Sequence, residues 1–439
     1  MKKRHAGRCQ LARWMAVMAF LPISFGVTAA DQTQIDAAAA ALEDEMIAWR
    51  RDLHEYPELS NREFETSAKI ADHLRGLGMD VQTGVAHTGV VGILNPGKEG
   101  PLVALRADMD ALPVAEQTGL PFASTRRAEF NGVETGVMHA CGHDAHVAML
   151  MAAAELLAGM KDELPGSVMF IFQPAEEGAP PGEEGGAELM LKEGVFADSM
   201  PDVVFGLHVT SIETAGVISY RSGPFMASAD EFSIVVRGRQ THGAKPWQGV
   251  DPIVVSSQII MGLQTIASRQ IDVTKVPSVI SIGRINGGIR FNIIPDSVTM
   301  EGTIRTFDED MRADIHRRID KVATAIAESA GATVEISYGI GLPVVRNDPD
   351  LMERMLPTLR SVAGDEQVRE TSLITWGEDF AYYAQQTPGL FFHLGVTDPS
   401  LDPMDAPANH SPFFQIDESG LIVGVRALAQ LTIDYMAAD

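Results

Sequence analysis

Cys141 lies two residues before a histidine, with a glycine between them, in the segment His139-Ala140-Cys141-Gly142-His143-Asp144. A glycine turn that brings a thiolate and an imidazole together suits a borderline-soft divalent ion such as zinc. The other cysteine, Cys9, falls in a basic and apolar leader, so Cys141 is not expected to form an intramolecular disulfide in the mature chain. This segment therefore predicts a metal site.

Later segments carry further side chains that bind metals or protons: Gln173-Pro174-Ala175-Glu176-Glu177-Gly178, Gly206-Leu207-His208-Val209 and Asn409-His410-Ser411-Pro412. Adjacent residues at a strand end point in different directions, so Glu176 and Glu177 are expected to have different roles. One can bind a metal ion, while the other takes a proton from water whose pKa the metal lowers. The alternative for such a pair is a solvated acidic loop. Together, these segments predict a metal-dependent hydrolase.

Apolar strands alternate with helices along most of the chain. Strands are predicted at 102–106, 167–172 and 203–209, and an apolar helix at 145–157. This alternation indicates a mostly parallel sheet with helices on both faces, an α/β fold. Ligands bind such sheets beyond the carboxyl ends of the strands. The Asp108/Asp110 and Glu176/Glu177 pairs both fall at such ends.

The order of elements changes to β-α-β-β-α-β at about residue 223, which predicts an inserted ferredoxin-like α+β unit with its own core. Asp251 and Pro252 are typical of a helix start within this unit. Alternation of strands and helices resumes after it. We therefore predict a signal peptide at 1–30, a catalytic domain made of 31–222 and 341–439, and an inserted domain at 223–340.

The leader combines basic residues, an apolar run at 14–27 and small residues before Asp31. This order predicts a signal peptide cleaved after Ala29 or Ala30 and a protein without a stable membrane anchor. An uncleaved anchor is the alternative, although the run is short for a membrane span. Export would lead to the periplasm in a Gram-negative host and otherwise to secretion. The net charge of −25 argues against nucleic-acid partners.

Several long motifs in a fixed order resemble one family of enzymes: Arg51-Asp52-Leu53-His54, Leu105-Arg106-Ala107-Asp108-Met109-Asp110, His139 to Asp144, Gln173 to Gly178, Asn292-Ile293-Ile294-Pro295, Glu378-Asp379-Phe380 and His410-Ser411-Pro412. The chain resembles the amidohydrolase and carboxypeptidase family of co-catalytic metallopeptidases. Within it, the chain is most similar to the branch of hippurate hydrolases, N-acyl-amino-acid aminoacylases and auxin-conjugate hydrolases. The resemblance covers nearly the whole mature chain.

The resemblance implies a site shared by two divalent metal ions, which could be zinc, manganese, cobalt or nickel. It places their ligands at Cys141, His143, Glu177, His208 and His410. The general base of the family falls on Glu176, and the cysteine can bridge the two ions. His54 and His139 are expected to support the ligands without binding metal.

The resemblance also gives functional residues to the inserted domain, which would act as a lid and dimerisation domain. His242 matches a histidine that polarises the scissile carbonyl and often reaches across from the other subunit of a homodimer. Asn292 matches a residue that contacts the substrate. The chain departs from the common pattern at Gln240–Gly243, at Trp247 and in the loop after Glu177. These departures touch no expected ligand, but they bear on substrate choice.

The predicted activity is hydrolysis of the amide bond of N-acyl amino acids or small peptide-like substrates with a free α-carboxylate. Water activated by the metal ions attacks the carbonyl, and Glu176 is the general base and then the acid. The first alternative is a metallo-dipeptidase or carboxypeptidase, which only a panel of substrates distinguishes. The second is a catalytically silent binding protein, which would be expected to have lost Glu176 or a ligand.

Overall fold

The computed structural model describes Met1 and residues 32–339 and 341–437. The predicted signal peptide therefore lies, apart from Met1, outside the described residues. The α-helices in the described part of the chain are α1 Gln32–Glu55, α2 Phe64–Gly76, α3 His143–Gly159, α4 Gly186–Lys192, α5 Pro252–Thr265, α6 Glu309–Ser329, α7 Pro349–Ala363, α8 Phe380–Ala384 and α9 Leu421–Ala437.

Most of the strands belong to two sheets of unequal size. In chain order, the strands of the described residues are β1 Asp80–Val85, β2 Gly89–Leu94, β3 Leu102–Asp108, β4 Arg127–Phe130, β5 Val133–Gly136, β6 Ser167–Gln173, β7 Val203–Thr214, β8 Ile218–Tyr220, β9 Gly223–Met226, β10 Ser228–Arg237, β11 Thr241–His242, β12 Ser278–Asn286, β13 Ile293–Ile294, β14 Ser297–Thr306, β15 Thr333–Tyr338, β16 Val345–Asn347, β17 Val368–Glu370 and β18 Gly389–Thr397.

The larger sheet has eight strands in the order β1-β2-β6-β3-β7-β18-β8-β17. Its central strands β6, β3, β7 and β18 run parallel to one another. The neighbouring pairs β1/β2, β2/β6 and β18/β8 are antiparallel. Because the central strands are parallel, their carboxyl ends meet at one edge, and side chains that follow these strands come together there.

Helices cover both faces of this sheet, as its apolar strands require. One core combines the sheet with residues of α1, α3, α7 and α9, and a second core on the other face includes residues of α4 and α8. Helix α3 is buried along most of its length, which explains why its sequence is apolar all round. The predicted α/β fold with a mostly parallel sheet is confirmed.

The smaller sheet has four strands in the order β12-β14-β10-β15, with α5 and α6 packed against one face. In chain order its elements follow the predicted β-α-β-β-α-β pattern, so the ferredoxin-like unit is confirmed. Asp251 caps α5, accepting hydrogen bonds from the backbone N–H groups of Ile253 and Val254. We refer to residues 228–338 as the lid. The predicted domain boundaries at 222/223 and 340/341 remain predictions.

One helix in the described part of the chain is long and apolar enough to span a membrane. It covers Glu418–Ala437, and 67% of its 18-residue apolar window is buried inside the fold. Its residues Leu421, Val425 and Leu428 belong to the core that also contains α1 and α3. A core helix of a globular domain satisfies the same criteria of length and composition.

Candidate active site

The turn between Cys141 and His143 depends on the glycine between them. Gly142 has φ 101°, a left-handed conformation that disfavours other residues, and it directly precedes α3. A Cβ atom at this position would lie 2.3 Å from Cγ2 of Val209. Glycine is therefore needed both for the turn and for the close approach of β7. This turn places the Cys141 thiol and the His143 ring at the start of a buried helix.

The five predicted ligands lie close together around the Cys141 sulfur. Its Sγ is 3.2 Å from Nε2 of His208 and 3.2 Å from Nε2 of His410. Nε2 of His410 is in turn 3.1 Å from Oε1 of Glu177. Two sets of donor atoms, Cys141/His143/His208 and Cys141/Glu177/His410, each lie within 4.8 Å of one another. Cys141 is the residue that these two sets have in common.

Hydrogen bonds orient the histidine rings of this cluster. Nδ1 of His143 donates to the carbonyl oxygen of Asp110 at 2.8 Å, which leaves its buried Nε2 without a hydrogen-bond partner in the described part of the chain. Nδ1 of His208 donates to the carbonyl oxygen of Val209 at 2.7 Å, so its Nε2 carries the lone pair that faces Cys141. Imidazole nitrogens held this way, beside a thiol and a carboxylate, fit divalent metal ions.

Asp110 fixes the two glutamates at the end of β6. Its carboxylate accepts hydrogen bonds from the backbone N–H groups of Glu176 and Glu177, both at 3.1 Å. Oε2 of Glu176 lies 3.9 Å from Nε2 of His143. Burial and the charges of Glu378 and Glu177 raise the pKa of Glu176 well above its ordinary value. Glu176 is thus placed beside the donor cluster, in surroundings that favour its uptake of a proton.

The carboxylates around His143 together change its pKa more than its burial does. Burial alone would lower its pKa, but the carboxylates of Asp108, Asp110 and Glu177 raise the pKa of His143 to about 10. Burial and nearby carboxylates likewise raise the pKa of the Cys141 thiol well above its ordinary value. A site this rich in negative charge attracts cations, and metal ions bind in it by displacing these protons.

The side chain of Asn409 links the backbone at Cys141 to strand β7, which carries His208. Its Nδ2 donates to the carbonyl oxygens of Cys141 at 2.9 Å and Val209 at 3.2 Å, and its Oδ1 accepts a hydrogen bond from Ser211 N at 3.1 Å. The next residue, His410, has φ 71°, which is unusual for a non-glycine residue. Its backbone N–H donates to the carbonyl oxygen of Ala140 at 2.8 Å. These contacts hold the strained backbone that presents His410.

A cavity of about 410 Å³ opens beside the donor cluster. Besides Glu176 and four of the five predicted ligands, its lining includes Arg305 of β14, an arginine contributed by the lid. The Arg305 guanidinium donates to Thr303 Oγ1 at 2.5 Å and to the Ile304 carbonyl oxygen at 3.0 Å. Among the described residues no carboxylate forms an ion pair with it. Sequence reasoning missed Arg305, because only the three-dimensional structure shows which face of the lid meets the cavity.

His242 and Asn292 lie together in the lid, and neither lines this cavity. They belong to the segments that form the short β11/β13 pair, where Gly243 N donates to the carbonyl oxygen of Asn292 at 2.8 Å. The Ala244 backbone N–H donates to Nδ1 of His242 at 3.0 Å, so the proton of the neutral ring is on Nε2. The side chain of His242 is exposed. The structure thus gathers the predicted ligands with Glu176 but leaves this predicted pair outside the site.

Three other histidines of the motifs have distinct surroundings. His54 contacts the carboxylates of Asp144 at 2.8 Å and Glu116 at 3.2 Å, which supports the start of α3 beside His143. His139 is buried, and neither ring nitrogen has a hydrogen-bond partner among the described residues. His146 uses both nitrogens, since Val209 N donates to its Nε2 and its Nδ1 donates to Asp108. No nitrogen of His146 is left for a metal ion.

Comparison with known proteins identifies the family of this chain. The family model described as peptidase family M20/M25/M40 matches residues 104–434. The chain belongs to this family. The family resemblance predicted from the motifs is therefore confirmed, and the protein is a hydrolase that acts on carbon–nitrogen bonds.

Relatives in the M20 family carry names that span peptidases and deacylases. The chain is 41% identical over 396 residues to thermostable carboxypeptidase 1 of Saccharolobus solfataricus, covering 90% of this chain and 96% of that protein. It is 39% identical over 385 residues to N-acetyl-L-cysteine deacetylase of Bacillus subtilis, covering 87% and 86%. The crystal structure of YXEP from Bacillus subtilis, described as a dinuclear metal-binding M20 peptidase, matches with a TM-score of 0.75 at 36% identity, covering 90% and 99%.

Proposed function

We propose that this M20 protein is a metal-dependent amidohydrolase that cleaves the amide bond of N-acyl amino acids or related small peptide-like substrates. The observation that carries the proposal is the cluster of one thiol, three imidazoles and one carboxylate beside a cavity that Glu176 and four of these five donors line. A metal-dependent hydrolase needs donors that hold the metal and, beside them, a base that does not bind it. The cavity volume suits a small substrate.

The donor cluster would hold two divalent ions, with Cys141 shared between them. His143 and His208 would complete one site, and Glu177 and His410 the other. When bound, the ions would supply a Lewis acid for the substrate carbonyl and lower the pKa of water. Softness of the thiolate and imidazole donors favours zinc, cobalt or nickel over magnesium or calcium, whereas manganese would rely mainly on the carboxylate of Glu177.

Glu176 is the proposed general base. Its carboxylate takes a proton from water, the water oxygen forms a bond to the carbonyl carbon, and the carbon–nitrogen bond then breaks. Glu176 returns the proton to the leaving amine nitrogen, so the proton count balances. The distance of 3.9 Å between Oε2 of Glu176 and Nε2 of His143 supports this role, because it puts the carboxylate within reach of a water molecule held at the donor cluster.

Arg305 is proposed to bind the α-carboxylate of the amino-acid half of the substrate. It lines the same cavity as Glu176, and no carboxylate of the described residues is paired with it. A guanidinium can bind a carboxylate through two parallel hydrogen bonds. A substrate anchored in this way would be held between the lid and the large sheet, with its amide near Glu176.

His242 and Asn292 are proposed to complete the site from a second copy of the chain. The backbone leaves the Nε2–H of His242 available as a donor to a carbonyl oxygen. Next to Asn292, Ile289 and Phe291 are 95% and 96% exposed, and β12 is an edge strand of the lid sheet. An apolar patch beside a free strand edge favours pairing with another copy in a homodimer.

A metallo-dipeptidase or carboxypeptidase is the second candidate, favoured by the identity to thermostable carboxypeptidase 1. The deciding experiment is a hydrolysis panel of the metal-loaded mature protein, with N-acyl amino acids and dipeptides measured side by side. Faster hydrolysis of N-acyl amino acids is expected. Dipeptides as the only substrates would establish the second candidate, and no hydrolysis at full metal content would favour a silent binding protein.

The leader supports export of the protein, with no anchor left after cleavage. Fractionation of the native host and sequencing of the N-terminus of the exported form would test this part of the proposal. We expect a mature N-terminus at about Ala30 or Asp31. Retention of the full leader in a membrane fraction would instead establish an anchor.

A further inference from the structure

Part of the cavity lining is apolar and includes an exposed tryptophan. Met226, Leu342 and Trp376 all line the cavity that contains Glu176. The side chain of Met226 is buried, whereas Trp376 is 48% exposed. An indole face left open next to catalytic groups offers a flat apolar surface on which a planar group of the substrate can stack.

His393 lies behind this surface with two unused ring nitrogens. It pairs with His208 in the register of β18 and β7, so it sits one strand away from a predicted metal ligand. It is 1% exposed, it lines the cavity, and neither nitrogen has a hydrogen-bond partner in the described part of the chain. No group of described residues able to hold a metal ion includes it. A buried polar group without a partner costs free energy, so these nitrogens call for a ligand atom.

The rings around His393 set the orientation of such a ligand. The imidazole is nearly parallel to the indole of Trp376, with an interplanar angle of 9° and ring centroids 6.3 Å apart. Phe225 contacts it from another direction, with centroids 4.8 Å apart. A neutral imidazole has one N–H donor and one lone pair.

We propose that Trp376 and His393 form a subsite for a planar aromatic acyl group that carries a hydroxyl. This inference rests on the proposed amidohydrolase function and names its substrate class, N-(hydroxybenzoyl) amino acids. A phenolic hydroxyl both donates and accepts, so it can form a hydrogen bond with the ring nitrogen that it meets, whether that nitrogen carries the proton or the lone pair.

The subsite belongs to the acyl half of the substrate for a geometric reason. The two halves of the substrate extend in opposite directions from the scissile amide. Arg305 in the lid takes the carboxylate of the amino-acid half, whereas His393 belongs to the large sheet next to His208. The acyl half is therefore the part that reaches the wall formed by Trp376 and His393.

The test compares acyl groups on one fixed amino acid. N-acetyl, N-benzoyl, N-(3-hydroxybenzoyl) and N-(4-hydroxybenzoyl) derivatives are hydrolysed by the metal-loaded wild-type protein and by the His393→Phe variant. In the wild type, we expect kcat/KM for either the 3-hydroxybenzoyl or the 4-hydroxybenzoyl substrate to exceed kcat/KM for the benzoyl substrate by about ten-fold. In His393→Phe this ratio should fall to about one, while hydrolysis of the acetyl substrate is unchanged.

The variants are chosen so that folding and substrate preference can be separated. Phenylalanine keeps an aromatic ring against Phe225 and removes only the unpartnered nitrogens, so His393→Phe is expected to melt no lower than the wild type. Trp376→Leu should lower kcat/KM for all three aromatic acyl groups by a similar factor relative to acetyl, because it removes the stacking surface. Metal content is measured for each variant and is expected to stay constant.

Binding without turnover distinguishes this inference from the proposed function. Calorimetry measures the affinity of benzamide and of 3- and 4-hydroxybenzamide for the metal-loaded protein. Tighter binding of a hydroxybenzamide by the wild type, lost in His393→Phe, supports the subsite even if no N-acyl amino acid is hydrolysed. Equal affinities for all three amides in both proteins overturn the subsite, even if N-acetyl amino acids are hydrolysed well.

Discussion

Replacing Asn409 by alanine should weaken metal binding although Asn409 is not itself a predicted ligand. Its side chain makes three hydrogen bonds of 2.9, 3.2 and 3.1 Å to the backbone of Cys141, Val209 and Ser211. These bonds tie the turn before α3 to the strand that carries His208. Asn409→Ala removes all three and leaves the donors free to move apart.

The expected loss in the free energy of unfolding follows from the number of hydrogen bonds that Asn409→Ala removes. A net contribution of about 1 kcal/mol for each hydrogen bond gives a loss of about 3 kcal/mol in the free energy of unfolding of the metal-free protein. Loss of a group that orients metal ligands typically lowers metal affinity by about 10- to 100-fold. Asn409→Ala should therefore show both effects.

Asn347 provides a matched control. It also makes three hydrogen bonds to backbone groups, two of 2.8 Å to the carbonyl oxygens of Arg221 and Phe391 and one of 2.6 Å from Phe391 N, and no donor of the cluster takes part. Asn347→Ala should lose similar stability but keep wild-type metal affinity. Stability is measured by urea unfolding of chelated protein, and affinity by competition with a chelating dye. Equal metal affinities of the two variants would refute a positioning role for Asn409.

Further predictions concern the base, the shared ligand, the lid and the pH dependence of stability. Glu176→Gln should abolish turnover at normal metal content, whereas Glu177→Gln should lose metal. Equal metal contents of the two variants would contradict the different roles of these glutamates. Cys141→Ser should sharply lower occupancy of both ions, and two ions retained by the variant would disprove sharing. His242→Ala should lower kcat strongly at normal metal content. If His242 acts in the site of the other subunit, mixed dimers of His242→Ala and Glu176→Gln subunits should recover activity. Verified heterodimers without activity would exclude a role for His242 across the interface. Burial and a neighbouring carboxylate raise the pKa of Glu63 from 4.5 to about 8. The contribution of Glu63 to the free energy of unfolding is therefore fully present below pH 4.5 and is lost as the pH rises towards 8. Between pH 5 and pH 8, urea unfolding should show a smaller loss of stability for Glu63→Gln than for the wild type, and equal losses would disprove the assignment.

The sequence allowed much of the fold to be predicted, because its periodicity is strong. The strand predicted at 167–172 is β6, and the helix start predicted at Asp251 and Pro252 is observed. The antiparallel strands β1 and β2 were not predicted. The exposed, polar side chains of β1 give it no apolar alternation, so only its pairing with β2 reveals it as a strand.

Motifs in the sequence predicted some residues of the candidate site, whereas others are found only in the structure. Cys141 and His143 were accessible because two unusual residue types sit two positions apart. Arg305 and His393 lie in segments whose sequence is ordinary for strands, and Trp376 lies just before the Glu378-Asp379-Phe380 motif without being part of it. Their proximity to the metal donors depends on pairing between distant strands, which periodicity in one segment does not encode.

The position of β18 in the large sheet has a consequence for the order of folding. This strand is formed by Gly389–Thr397, yet it lies between β7 and β8, which precede it by more than 160 residues. The large sheet cannot close until the last part of the chain has been synthesised, and His410 joins the cluster later still. The lid sheet needs only residues 228–338, so its contacts are more local, and such contacts form faster. During synthesis the lid can fold first, and the metal cluster is among the last parts of the molecule to assemble.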